Sequence, residues 1–132
     1  MTIDLVWATL AGAVLGSLAD WLFAGILFRK RYQLYPEVWR EGVSARETWR
    51  IVAAQGLALV TAAAFTALAW KLGQTDLRGA LKLAAMIWLI GPLPLLAANA
   101  LFIKIDALVT ASHAAGWLAK LLLCGLAAAF FL

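Results

Sequence analysis

Residues 107–132 read ALVTASHAAGWLAKLLLCGLAAAFFL. A helix that crosses a bilayer needs roughly 20 mostly apolar residues, and this stretch has that length with one histidine and one lysine in it. Three further stretches of similar character cover about 5–28, 47–72 and 77–103. The sequence therefore predicts an all-α integral membrane protein, in which residues 1–132 form a single domain of four helices in an up-down bundle.

The composition supports a membrane protein and excludes an ordinary soluble one. Hydrophobic residues make up 65% of the chain and charged residues 14%, which is far from the average of soluble domains. Outside the four apolar stretches there remain one loop, residues 29–46, and two short turns. We therefore expect no separate soluble domain.

The distribution of basic residues predicts the orientation in the membrane. Loops that carry Lys and Arg stay on the cytoplasmic side. The side with the loop after the first helix and the turn after the third has seven basic residues: Arg29, Lys30, Arg31, Arg40, Arg46, Arg50 and Lys104. The opposite side has three: Lys71, Arg78 and Lys82. Both termini are then expected outside. The net charge of +4 is attributed to this bias and to contact with anionic lipid, and no nucleic-acid partner is expected.

Short motifs predict where helices begin and end. In the loop, Pro36 and the alternating aromatic and charged residues after it indicate a short amphipathic helix over roughly 36–42, which would lie at the interface. Ser44 and Glu47 match a capping box. Gly73 is placed to end the second helix, and two aspartates are placed to cap the third and fourth helices, Asp76 and Asp106.

Two motifs concern helix shape and packing. Gly91, Pro92 and Pro94 fall near the middle of the third helix, where two prolines remove backbone donors and predict a kink. Such a kink is common in plain bundles and also lines binding sites in some transporters. Gly12 and Gly16 are spaced so that both lie on one face of the first helix, which predicts a close packing surface within the bundle or between subunits.

Each apolar stretch carries a polar residue at a similar depth, near the predicted cytoplasmic third of the membrane: Asp20, Gln55, Asn99 and His113, with Ser17 one turn from Asp20. An intramembrane carboxylate is costly, so it is expected to face the bundle interior and find a partner. This layer is either a ligand or proton site, or a set of interhelical hydrogen bonds that stabilise the bundle.

Two partners for Asp20 are open at this point. His113 is one, and an acid–imidazole pair can change its charge near neutral pH, as a proton-coupled site requires. Lys120 is the other, because it lies seven residues after His113 on roughly the same helix face. Its side chain can instead extend to the outer interface.

A family resemblance follows from the first helix. The pattern Gly16-x-x-x-Asp20-Trp21-x-Phe23, followed by Leu27-Phe28-x-Lys30-x-Tyr32, resembles a family of uncharacterised small bacterial membrane proteins, a domain of unknown function with four membrane helices. The resemblance implies a multi-pass protein of the bacterial inner membrane and no particular activity. Small multidrug-type transporters are similar in helix number and in having an acid in the first helix.

Two functional hypotheses follow. The sequence shows no nucleophile–base pair, phosphate loop, haem motif or metal-ligand cluster, which favours a non-enzymatic role without a cofactor or metal. An enzyme that acts on lipid would need Asp20 or His113 as a general base. The first hypothesis is a proton-coupled carrier or channel for a small or cationic ligand. The alternative is a structural or accessory subunit that binds lipid, pigment or a larger membrane complex. In both, the partners are membrane lipids and either further copies of the chain or other subunits.

Overall fold

The fold is known from a computed structural model that describes residues 2–34 and 45–132. All regular structure in these two segments is helical. The helices are α1 (Thr2–Asp20), a π-helical continuation of it (Trp21–Leu27), α2 (Arg29–Gln33), α3 (Ala45–Lys71), α4 (Leu77–Ile90), α5 (Pro92–Phe102) and α6 (Ala107–Phe131). The interfacial helix predicted over 36–42 and the capping residue Ser44 lie outside the described residues.

Four segments are long and apolar enough to cross a membrane, and we call them the first to fourth spans. They are Ile3–Leu27, Trp49–Lys71, Leu77–Phe102 and Ala107–Phe131. The predicted all-α membrane bundle is therefore confirmed. The orientation of its termini stays a prediction, so the two ends of the bundle are named by the described helices: the loop end holds α2 and the start of α3, and the terminal end holds the start of α1 and the end of α6.

The fourth span is the centre of the bundle. It packs most extensively against the first and third spans and also contacts the second. Its buried face is built mainly from small residues, among them Ser112, Gly116, Cys124, Gly125 and Ala128. Small residues allow neighbouring helix backbones to come close, which is the main source of attraction between helices in a membrane.

The first span packs on the fourth through the glycine pair recognised in the sequence. A Cβ atom at Gly12 would lie 3.4 Å from Ala62 Cβ and from Cys124 Sγ, and one at Gly16 would lie 2.9 Å from Lys120 Cγ. The Cys124 thiol also donates to the Gly12 carbonyl at 3.7 Å. The two glycines therefore form a contact surface within the bundle.

The turns at both ends use the residues expected there. Gly73 has a φ of +64°, a left-handed conformation that glycine adopts at low cost, and it ends the second span. The carboxylate of Asp76 accepts from the amide of Gly79 at 3.1 Å. That of Asp106 accepts from the amides of Leu108 and Val109 at 3.0 and 3.2 Å. Because side-chain oxygens satisfy free amides at these starts, the third and fourth spans begin at defined residues.

The third span is divided in two at Gly91. Its φ of −119° and ψ of −87° interrupt the helix between α4 and α5, and Pro92 begins the second half. Pro92 and Pro94 have no amide hydrogen to donate to the carbonyls one turn earlier. The break leaves an opening on the side of the third span that faces the second span, and this opening is described below.

Candidate functional site

An ion pair joins the first and fourth spans inside the predicted membrane region. Lys120 Nζ lies 2.5 Å from Asp20 Oδ2. The two side chains differ in exposure: that of Lys120 is 9% exposed and that of Asp20 is 45% exposed. Of the two partners that the sequence left open for Asp20, the structure therefore brings Lys120 into contact, and the carboxylate is the more accessible member.

The directions of the two helices explain why these side chains meet. A Cα–Cβ bond in a helix is tilted towards the N-terminus of that helix. Lys120 therefore points towards the loop end, while Asp20, on an antiparallel helix, points away from it. Gly16 leaves room for the stem of Lys120, since a Cβ atom there would lie 2.9 Å from Lys120 Cγ.

Trp117 holds the ammonium group from a second side. Lys120 Nζ lies 4.5 Å from the centroid of the Trp117 ring, a distance at which the ring face attracts a cation. Trp117 is one helical turn before Lys120, so the contact is local to the fourth span. The ammonium is thus fixed between an aromatic face and a carboxylate.

The ion pair lines a cavity of about 430 Å³ between the first, second and fourth spans, which we call the polar cavity. His113 and Ser112 belong to its wall, together with Phe23 from the first span. The titratable residues of its wall are Asp20, Lys120 and His113; the second span contributes Ala54, Leu57 and Thr61. The cavity therefore combines an acid, a cation and an imidazole in a wall that is otherwise mainly apolar.

The second span leaves the bundle beside the polar cavity. Residues 51–57 are all exposed, and the first buried position of this span is Ala58. Towards the terminal end the same helix packs tightly, with Ala62, Phe65 and Ala69 in the core. The second span thus diverges towards the loop end, and this divergence provides the space of the cavity.

A π-helical segment begins directly after Asp20. It covers Trp21–Leu27, seven residues, and the amide of Phe28 donates to the carbonyl of Phe23 at 3.0 Å. π-Helical turns are rare and occur often at functional sites. Because they change the angular position of every later residue, this segment determines how Phe23 is presented to the cavity.

The other predicted polar residues lie elsewhere. Gln55 and Ser17 line a separate shallow groove of about 390 Å³ between the first and second spans. Asn99 is partly exposed on α5 and lines neither cavity. The similar depth of the four polar residues therefore does not bring their side chains together. Of the four, Asp20 and His113 share a cavity.

An apolar groove adjoins the polar cavity. It has a volume of about 490 Å³ and lies between the second and third spans, beside the break at Gly91 and Pro92. Trp117 and Leu121 of the fourth span also line this groove. Thr61 and Trp117 line both spaces, so the two share a wall.

A second ion pair, at the loop end, joins α2 to the start of the fourth span. Arg31 donates to both carboxylate oxygens of Asp106, at 2.9 and 2.7 Å, and Asp106 also caps the fourth span. A two-point pairing of this kind is stronger than a single contact. The contact joins residues 75 positions apart, so the capping motif alone did not indicate it.

Replacement of Asp106 by alanine is expected to destabilise the protein by about 1–2 kcal/mol, the usual cost of losing a helix cap, plus the lost contact with Arg31. Asp76→Ala removes a cap that rests on one amide contact and is the matched control, with an expected loss of about 1 kcal/mol or less. The free energy of unfolding in mixed micelles measures both. Equal losses would show that the Arg31 contact adds no stability.

No group of three or more His, Cys, Asp or Glu side chains that could hold a metal ion occurs in the part of the chain that the structure describes. Cys124 is buried in the core and is not among the residues that line the polar cavity.

The fold and the site define a four-helix membrane protein with an ion pair inside the bundle. Residues 7–129 match the model of a family described as proteins of unknown function, DUF1761. The chain belongs to this family, which confirms the resemblance to a domain of unknown function. No curated protein and no solved structure matches the chain.

Proposed function

We propose that the protein is a proton-coupled carrier whose ligand site is the polar cavity. The observation that carries this proposal is the Asp20–Lys120 pair, which lies inside the membrane spans and lines a cavity of about 430 Å³. Ion pairs in this position are expensive and are typical of ligand and proton pathways. A pair that served packing alone would not need an adjoining cavity.

The roles of the two charges follow from their exposure. Lys120 is nearly buried and is held by Trp117, so it is a fixed cation. Asp20 is 45% exposed and lines the cavity, so it is the group that accepts a proton when a ligand takes its place beside Lys120. His113 lines the same cavity, and its imidazole is a second group there that can bind a proton.

The proposal is tested with the full chain reconstituted in vesicles, by uptake of labelled solute. The probes are three classes of solute: organic acids, organic amines and zwitterions, each applied with and without a pH gradient. We expect uptake of at least one class, and loss of that uptake in Asp20→Asn. Gln55→Ala, which changes a polar residue outside the polar cavity, is the control and should keep the uptake.

Size-exclusion chromatography of each variant establishes that it is folded before uptake is compared. A wild-type protein that takes up none of the three classes would contradict the carrier. So would an Asp20→Asn variant with unchanged uptake.

A further inference from the structure

We propose that the ligand of the polar cavity is a single-chain amphiphile with a carboxylic acid head, whose chain lies in the apolar groove. The inference rests on the proposed function, because the head occupies the site at Lys120. It goes further in assigning a role to the groove and a chemical class to the ligand.

The first argument is that the two spaces are adjacent. Thr61 and Trp117 line both the polar cavity and the apolar groove. The walls of the groove are apolar, whereas the cavity contains charged side chains. The groove is lined by Ala64 and Leu68 from the second span and by Leu95 from the third. A molecule that reaches from one space into the other past the Thr61 and Trp117 side chains has an apolar chain joined to a polar head.

The second argument concerns the charge of the head. The cation of the cavity is fixed by the Trp117 face and is 9% exposed, whereas the carboxylate beside it is 45% exposed. The carboxylate is therefore the partner that an incoming group can replace. An amine head would instead have to displace the buried ammonium.

The exchange conserves charge. The acid enters protonated, its O–H proton passes to a carboxylate oxygen of Asp20, and its own carboxylate then binds the Lys120 ammonium. No covalent bond to carbon changes, and the cavity holds one carboxylate and one ammonium before and after. A neutral Asp20 and a paired Lys120 both avoid the cost of an isolated charge in the membrane.

The depth of the site favours a single-chain acid over a phospholipid. Asp20 lies seven residues before the end of its span at Leu27, roughly 10 Å along the helix. A phosphodiester stays ionised and remains at the headgroup level, whereas a protonated carboxylic acid is neutral and can enter to this depth.

The break in the third span provides the entrance to the groove. Gly91 and Pro92 line it at the point where α4 ends and α5 begins. The groove therefore opens laterally, where a chain from the surrounding lipid can enter without crossing the loop end.

The test uses a palmitic acid analogue that carries a diazirine in its chain, with the full protein in phosphatidylcholine vesicles. After illumination, mass spectrometry locates the labelled residues. We expect adducts on the groove faces of the second and third spans. Excess palmitic acid should compete with the label, and hexadecanol, which has the same chain length and no acid, should not.

Four variants give matched comparisons. Ala64→Trp fills the groove and should abolish labelling, whereas Ala63→Trp adds the same ring at an exposed neighbouring position and should leave it. Lys120→Met should remove the preference for the acid over the alcohol. Asp20→Asn should label more strongly than the wild type, because no carboxylate then competes for Lys120.

The results separate this inference from the proposed function. If uptake of a solute depends on Asp20 but Ala64→Trp labels as the wild type does, the amphiphile is wrong and the carrier stands. If hexadecanol competes as well as palmitic acid, the groove holds any lipid chain and the acid head is wrong. A wild-type dimer in detergent that Ala64→Trp dissociates would show that a second copy fills the groove, and would also overturn the inference.

Discussion

Replacement of Asp20 by asparagine is expected to lower the free energy of unfolding by about 2–3 kcal/mol, because it leaves the buried Lys120 ammonium without its counter-ion. Lys120→Met should cost less, about 1–2 kcal/mol. The remaining carboxylate is 45% exposed, so the loss falls below the 3–5 kcal/mol that is typical of fully buried pairs. Unfolding in mixed micelles by increasing amounts of dodecyl sulfate measures each variant.

The double variant Asp20→Asn with Lys120→Met decides whether the two effects share one cause. Because both charges are then absent, its loss should be smaller than the sum of the single losses by about 1–2 kcal/mol. Lys82→Met, at an exposed lysine of the third span, is the control and should change stability little. Strict additivity of the two single losses would show that the ion pair contributes no interaction energy.

Gly125→Val is expected to be the most destabilising single change outside the site. A Cβ atom at Gly125 would lie 3.1 Å from the carbonyl oxygen of Ala80. That oxygen belongs to the backbone of the third span, so it cannot move aside as a flexible side chain would. The third and fourth spans would have to separate, and overpacking of this kind costs about 1–3 kcal/mol.

Gly56→Val is the matched control for this prediction. A Cβ atom at Gly56 would have no neighbour within 4 Å, so the same substitution meets no steric resistance. Its effect should stay within about 0.5 kcal/mol, the usual range for a surface position. The same unfolding assay compares both. Equal effects at the two positions would show that the contact with Ala80 adds nothing to the cost at Gly125.

Features that depend on residues close together in the sequence could be predicted from the sequence alone. The spans follow from runs of apolar residues, since the bilayer thickness sets the length of a spanning helix. The caps at Asp76 and Asp106 follow from the chemistry of helix starts. The break at Gly91 follows from the missing amide hydrogens of Pro92 and Pro94. None of these features requires knowledge of which helix lies beside which.

The candidate site was predictable only in part. Depth along a helix can be counted, so Asp20, Gln55, Asn99 and His113 were expected at one level. The direction in which a side chain points also depends on how the helix is rotated, and packing sets that rotation. Gln55 and Ser17 therefore face a different groove from Asp20, and the π-helical segment after Asp20 gave no recognisable sequence signal.

The sequence by itself determined that this chain forms four membrane-spanning helices and where most of them start and stop, because hydropathy and capping act over a few residues. Only the tertiary structure decided that Asp20 meets Lys120, that Arg31 meets Asp106 across 75 positions, and that the polar cavity shares a wall with an apolar groove. Each of these depends on the rotation and divergence of whole helices, which result from the summed packing of small residues along the fourth span.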